Sequence, residues 1–434
     1  VSASAPYPSR RIAALAELRS VHQAFRWLHL SELQLRTWQL DFLAIPAPPF
    51  GEGPRAAWFL DRFRDLGLEN PHLDEAGNAL AELRCPDESP LAPVVLLSAH
   101  LDTVFPPGTD CTPREDGNRI LCPGACDNGA GLAALLAIAA ATRSANVAPA
   151  CTILFAANVG EEGEGDLRGM RHLFSPASSY SQRIAAAIAL EGSGTGSAVN
   201  RALGSRRLRV SVHGPGGHSW ADSGRPNPIL ALAAALLDVA ALKLPQRPRT
   251  TLNCGTIRGG TSVNSIPELA TADLDLRSTA SLELDRSELA ILQTLTAAIE
   301  RSNTLHEEAS RSRQPRPAAT APTQLVLRVQ RIGERPAGML MPASPIAQSL
   351  SAVDRHLGIA TELRIGSTDA NLPLSLGFPA LAIGAGGAGA GVHTLAEVYD
   401  PTGRGLALRR ILLLTLDACT LATAATADVA AAAD

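Results

Sequence analysis

Three short apolar runs, each closed by an ionisable side chain, constrain the fold of this chain most. Residues 93–99 lead into His100; residues 152–157 reach Glu161 and Glu162 through Gly160; residues 185–190 end in Glu191. Runs of this length without polar alternation read as strands buried on both faces, the kind found in parallel sheets. Helix-length segments at 56–68, 131–141 and 167–174 stand before and between them. Strand alternating with helix predicts an α/β fold, with a mostly parallel central sheet and helices on both faces. Residues 1 to about 90 read as largely helical, interrupted by Pro46, Pro48, Pro49, Gly51, Gly53 and Pro54.

The pattern changes near residue 205. Half-exposed strands at 207–212, 250–257, 270–276 and 324–332 enclose helices at 228–242 and 282–301. That β-α-β-β-α-β order predicts a small α+β domain inserted at 205–338 into a larger one formed by 1–204 and 339–434. Residues 306–322 are polar, with Pro and Arg, and read as a mobile loop. Beyond 340 the α/β pattern returns, with helices at 345–356 and 407–424 and a strand at 380–384.

Composition excludes several function classes. A net charge of −4 gives no electrostatic case for nucleic acid or an acidic membrane surface. Apolar runs fall short of the roughly 20 residues of a membrane span. The seven cysteines are scattered and odd in number, which argues for a reducing, cytoplasmic compartment over a disulfide framework. The chain opens on Val, so a processed exported form stays open.

In open α/β sheets, ligands bind just beyond the carboxyl ends of the strands. His100, Glu161, Glu162 and Glu191 follow strands there, His393 follows another after a Gly-rich loop, and Asp127 precedes a helix. Two imidazoles with several carboxylates suit a pair of divalent ions, zinc above all, with manganese or cobalt as alternatives. Asp127 reads either as the carboxylate bridging two ions or as an N-cap. With Asp127 as bridge, His100 and Glu191 hold one ion, and Glu162 and His393 the other. Asp102, two residues past His100, is placed behind that ring to fix its tautomer. Glu161 is left as the base that activates water, whose pKa such an ion lowers to about 7. Arg335, in Gly-Glu-Arg-Pro336, is a candidate for holding a substrate carboxylate.

Taken together, these segments resemble the dinuclear-zinc exopeptidases and amidohydrolases that include peptidase T, aminoacylase, acetylornithine deacetylase and the glutamate carboxypeptidases. The resemblance rests on Ser98-Ala-His-Leu-Asp-Thr103, Cys126-Asp-Asn-Gly-Ala-Gly131, Gly160-Glu-Glu-Gly163, Leu190-Glu-Gly192, Gly217-His-Ser219, Gly259-Gly-Thr-Ser-Val-Asn-Ser-Ile-Pro267, Asp275-Leu-Arg277, Ser367-Thr-Asp-Ala370 and His393-Thr-Leu-Ala-Glu397. It implies the same ligand set, with Glu161 as general base. It also implies that the inserted domain is a lid and dimerisation domain of a homodimer, that His218 reaches the active site to polarise the scissile carbonyl, and that Asn264 and Arg277 contact substrate. Where a bridging aspartate is often followed by a charged residue, this chain has Asn128.

The expected function is hydrolysis of a peptide bond in a small peptide by a peptidase T-like aminopeptidase or dipeptidase. An N-acyl amino acid amidohydrolase or a glutamate carboxypeptidase-like enzyme is the alternative. A non-catalytic binding protein on the same fold is the alternative from a different class, and the complete set of ligands and base speaks against it.

Overall fold

The computed structural model describes residues 7–85, 92–311 and 324–433. The chain divides into two compact units, with the boundaries after Ala202 and after Ala337.

The first unit is built on a nine-stranded sheet. Its centre is parallel: Thr152–Asn158, Val94–His100, Ile184–Leu190 and Ala380–Ile383 lie side by side in that order. Nearly every residue of these four strands is buried, so both faces of the sheet's centre are covered. The helices Gly129–Ser144 and Arg404–Ala433 both pack on the central strands. Gly131 lets the first of them approach closely: a Cβ there would sit 2.6 Å from the Leu190 carbonyl oxygen. The parallel centre expected from the apolar runs is present, and the sheet turns antiparallel on both flanks.

One flank corrects the sequence reading. Helices Pro8–Glu17, Arg19–Leu30, Glu32–Leu43 and Gly53–Asp65 come first, but Glu69–Leu73 and Ala79–Leu83 form an antiparallel pair that docks on Thr152–Asn158. Strand Ala79–Leu83 lacks β-branched residues, and its one charged side chain, Glu82, is buried where it accepts hydrogen bonds from Tyr180 Oη at 2.5 Å and Asn70 Nδ2 at 2.9 Å. A tertiary partner, not local propensity, makes it a strand. On the other flank, Ser197–Ala202, Gly338–Met339 and Glu362–Gly366 were likewise not evident in sequence.

The second unit is a four-stranded antiparallel sheet in the order Thr250–Gly259, Leu269–Ser278, Gly204–His213, Val326–Arg335. Two helices, Pro228–Ala240 and Ser281–Arg311, pack on it. Leu208, Val210 and Val212 alternate inward and share a core of their own with Leu232, Leu274 and Leu295. The helix runs through residues 306–311, which the sequence reading gave to a loop; helix-favouring Glu307 and Glu308 extend it, and no Pro comes before residue 315. The rest of that expected loop, 312–322, lies outside the described residues.

Candidate metal centre and active site

Strand register sets the stage. In the parallel pair, His100 stands beside Asn158, and the Glu191 N–H donates to the carbonyl of Ile383 at 2.9 Å. Past Asn158 the chain turns through Gly160, at φ 67°, and delivers Glu161 and Glu162, both buried. Asp127 comes from the loop before helix Gly129–Ser144, where the Asp127–Asn128 peptide is cis. His393 arrives from the other end of the sequence on a tight turn, with φ 64°.

These side chains meet around one carboxylate. Asp127 Oδ1 is 3.1 Å from His100 Nε2, and Asp127 Oδ2 is 3.0 Å from His393 Nε2. His100 Nε2 is also 3.4 Å from Glu191 Oε1, and His393 Nε2 is 3.0 Å from Glu162 Oε1. Two donor sets thus share Asp127. One ligand atom each from His100, Asp127 and Glu162 lies within 4.8 Å of the others.

Protein groups alone leave this cluster electrostatically tense. Burial pushes the Glu162 carboxyl up to about 7, with the Glu161 charge adding to it. Burial likewise raises Glu191 well above the usual carboxylate range. Hydrogen bonding to Asp127 lifts His393 to about 9 against the pull of desolvation. Burial pulls His100 down, but the Glu191 charge and its hydrogen bonds overcome that and hold it well above its ordinary value. For Asp127, burial opposes ionisation, and hydrogen bonds from both imidazoles overcome it and lower its pKa. A buried oxygen of Glu191, Oε2, has no hydrogen-bond partner. Two imidazoles, three acidic groups and an orphaned carboxylate oxygen form a donor set that fits divalent cations.

A layer of polar groups fixes these residues. His100 Nδ1 donates to the backbone carbonyl of Asp102 at 3.0 Å, which leaves Nε2 to face Asp127 and Glu191. Asp102 thus stands behind the ring through its backbone carbonyl. Its Oδ1 lies 3.6 Å from Nδ1, while its two oxygens accept the N–H groups of Glu161 at 3.0 Å and Glu162 at 2.7 Å. Asn128 spans the end of the neighbouring strand: its Nδ2 donates to Leu190 O, and its Oδ1 accepts from Gly192 N, with Glu191 between. Asn158 Nδ2 donates at 2.8 Å to Asp369, a fully buried carboxyl raised to about 7 by burial and then by the Glu161 charge. Glu397, also buried, accepts from the backbone N–H groups of Gly124, Cys126 and Asp127. Sequence reasoning gave no role to Asn128, Asn158, Asp369 or Glu397. For Glu397 and Asp369 the available signal was membership of the motifs at 393–397 and 367–370.

The remaining candidates lie in the second unit. His218 is exposed on a two-residue ribbon, Gly217–His218 against Ser265–Ile266. Its Nδ1 accepts the N–H groups of Trp220 at 3.2 Å and Ala221 at 3.3 Å, so the neutral ring carries its proton on Nε2. The Asn264 carbonyl accepts the Ser219 N–H, which ties Asn264 to the same ribbon. Arg277 pairs with Asp275 at 2.7 Å. Arg335 is buried at the end of strand Val326–Arg335, opposite Ser205.

Residues 78–209 match the model of peptidase family M28, and residues 201–302 match that of the peptidase dimerisation domain. No curated relative matches at the sequence level. Among solved structures, a tripeptidase from Staphylococcus aureus is 20% identical, with 90% of this chain and 99% of that one covered at a TM-score of 0.68. The aminopeptidase PepT from Bacillus cereus is 19% identical over 88% of this chain and 98% of its own, with a TM-score of 0.67. The YXEP protein of Bacillus subtilis, a dinuclear metal-binding peptidase of the M20 family, is 15% identical over 88% and 97%, with a TM-score of 0.60. At these identities the likeness establishes a shared fold. With family-model matches to a peptidase segment and a dimerisation domain, and with a His/Asp/Glu cluster at the strand ends, the chain is a metal-dependent hydrolase that joins a peptidase-family segment to a peptidase dimerisation domain.

Proposed function

We propose that this enzyme cleaves a peptide bond of small peptides, as a peptidase T-like aminopeptidase or dipeptidase. The observation that carries the reading is Asp127, whose two oxygens face the imidazoles of His100 and His393 separately. His100 with Glu191 would hold one ion, His393 with Glu162 the other, and Asp127 both. Zinc fits this mixed imidazole and carboxylate set best. When bound, the ions supply Lewis-acid polarisation of the scissile carbonyl and of water.

The chain's own residues do the rest. Glu161 takes a proton from the attacking water and returns it to the leaving amine. Asp102 holds the main chain of Glu161 and Glu162 so that the two carboxylates keep separate tasks. His218 offers its Nε2–H to the developing oxyanion. Asn264 and Arg277 bind substrate, and Arg335 is the further candidate for a substrate carboxylate. The enzyme works as a homodimer in which His218 serves the partner's active site, a reading supported by the dimerisation-domain match. All seven cysteines are free, which fits a cytoplasmic setting.

A panel of di- and tripeptides set against N-acetyl amino acids, run with the parent and Glu161→Gln, tests this. Peptides should turn over, and Glu161→Gln should keep both ions while losing about 10²–10⁴-fold in rate. Turnover of N-acetyl amino acids alone would make the enzyme a deacylase. Less than one ion per chain in the parent would make it a non-catalytic binding protein.

A further inference from the structure

We infer that Glu397 is the positioning residue of the centre: it sets the bridging carboxylate Asp127 and the imidazole His393 at their working separation. The inference rests on the two-ion reading above and assigns a role to a residue that ligates nothing.

The argument begins with strand pairing. Strand Val398–Asp400 pairs antiparallel with Arg119–Leu121, placing Val398 opposite Leu121 and Tyr399 opposite Ile120. One step further along the ladder, the Cys122 N–H donates to the Glu397 carbonyl at 3.1 Å. Glu397 therefore stands where the Asp127 loop leaves its strand. There the loop turns its N–H groups inward. Glu397 Oε2 accepts from Gly124 at 2.8 Å, and Oε1 accepts from both Cys126 and Asp127 at 2.8 Å. The carboxylate is 1% exposed, so water does not compete for these donors.

The same residue closes the turn that carries His393. The Glu397 N–H donates to Thr394 O, the Thr394 N–H donates to Gly391 O, and Thr394 Oγ1 also donates to Gly391 O. His393 sits inside that turn with a left-handed φ, a conformation that a non-glycine residue keeps only where its surroundings enforce it. One side chain and its own backbone thus hold two loops whose functional side chains meet at 3.0 Å, His393 Nε2 to Asp127 Oδ2. His100 ends strand Val94–His100 and Glu191 follows strand Ile184–Leu190, so the sheet itself positions both. Groups that orient ligands in this way are worth about 10–100-fold in metal affinity.

The prediction is asymmetric. Glu397→Gln keeps one accepting oxygen but turns an amide NH₂ toward backbone donors. Glu397→Asp keeps the charge but is one methylene short. Competitive chelator titrations on both variants, followed by the visible absorption of cobalt(II), read ion binding without substrate. The ion facing His393 and Glu162 should loosen about 10–100-fold, with an altered cobalt spectrum. The ion facing His100 and Glu191 should loosen less, and far-UV circular dichroism should match the parent. Parental affinity for both ions with an unchanged spectrum would overturn the inference. So would failure of both variants to fold, since Glu397 would then support the unit and not the centre. If the parent itself bound fewer than two ions, the two-ion reading would fail instead.

Discussion

Asp102→Asn separates two accounts of a buried carboxylate. Asp102 is fully buried, and its oxygens accept the amides of Glu161 at 3.0 Å and Glu162 at 2.7 Å. Its backbone carbonyl, not its side chain, receives His100 Nδ1. Asparagine can still accept one of the two N–H groups, now as a neutral oxygen. Its NH₂ faces the other, leaving that donor unsatisfied. Hydrogen bonds to a charged group contribute about 1.5–3 kcal/mol, and an orphaned buried donor costs about 1–3 kcal/mol. A loss of about 2–4 kcal/mol follows, or about 3–6 °C in the melting temperature of the catalytic unit. A shift of about 1 Å in the Glu161 backbone costs about 10² in kcat. The ion at His100 should stay, because the carbonyl that orients the ring is untouched. Differential scanning calorimetry, metal analysis and kcat on the metal-loaded variant read all three. Loss of the His100 ion with kcat restored on reloading would show that the carboxylate works through the imidazole. An unchanged melting temperature with full turnover would refute both accounts.

Other perturbations test the rest of the centre. Asp127→Ala should cost both ions where Glu191→Ala costs one, as metal content of the purified variants will show; equal losses would mean that Asp127 does not bridge. Ion binding must displace the His393 proton below about 9 and the Glu162 proton below about 7. Apparent affinity should therefore fall as pH drops, by about tenfold per pH unit for each proton displaced; a flat chelator-competition profile from pH 6 to 9 would contradict this. Mixing inactive His218→Ala with inactive Glu161→Gln subunits should restore activity, since a site with intact Glu161 then receives His218 from the other chain. No recovery despite proven subunit exchange would rule out the trans arrangement.

The parallel centre of the fold was legible because its strands are buried throughout and therefore uninterruptedly apolar. The residues now gathered around Asp127 were legible because each follows such a strand or stands in a glycine-rich loop. What could not be read depends on distant partners. Glu397 meets Gly124 across 273 residues of sequence, and its motif carries no mark of three backbone donors at the far end. The i, i+2 spacing of His100 and Asp102 is equally compatible with a carbonyl or a carboxylate behind the ring, and the structure chose the carbonyl. Strand Glu69–Leu73 was hidden by its polar sequence, Glu-Asn-Pro-His-Leu, which suits a sheet edge and little else.

The sheet pairing of Gly338 with Ala202, antiparallel and adjacent, has a consequence for how the chain is assembled. Those strands form a β-hairpin whose turn has grown into a whole domain. The domain's own terminal strands are also antiparallel neighbours, with Ser205 opposite Arg335. Left unfolded, a turn of this length would cost the hairpin about 3 kcal/mol more in closure entropy than a tight one, since the penalty grows only with the logarithm of length. Once folded, the inserted unit returns its two ends side by side and that excess vanishes. The outer strands of the large sheet are therefore cheapest to join once the insert has folded, so the stability of the insert and the pairing of that sheet edge are thermodynamically linked.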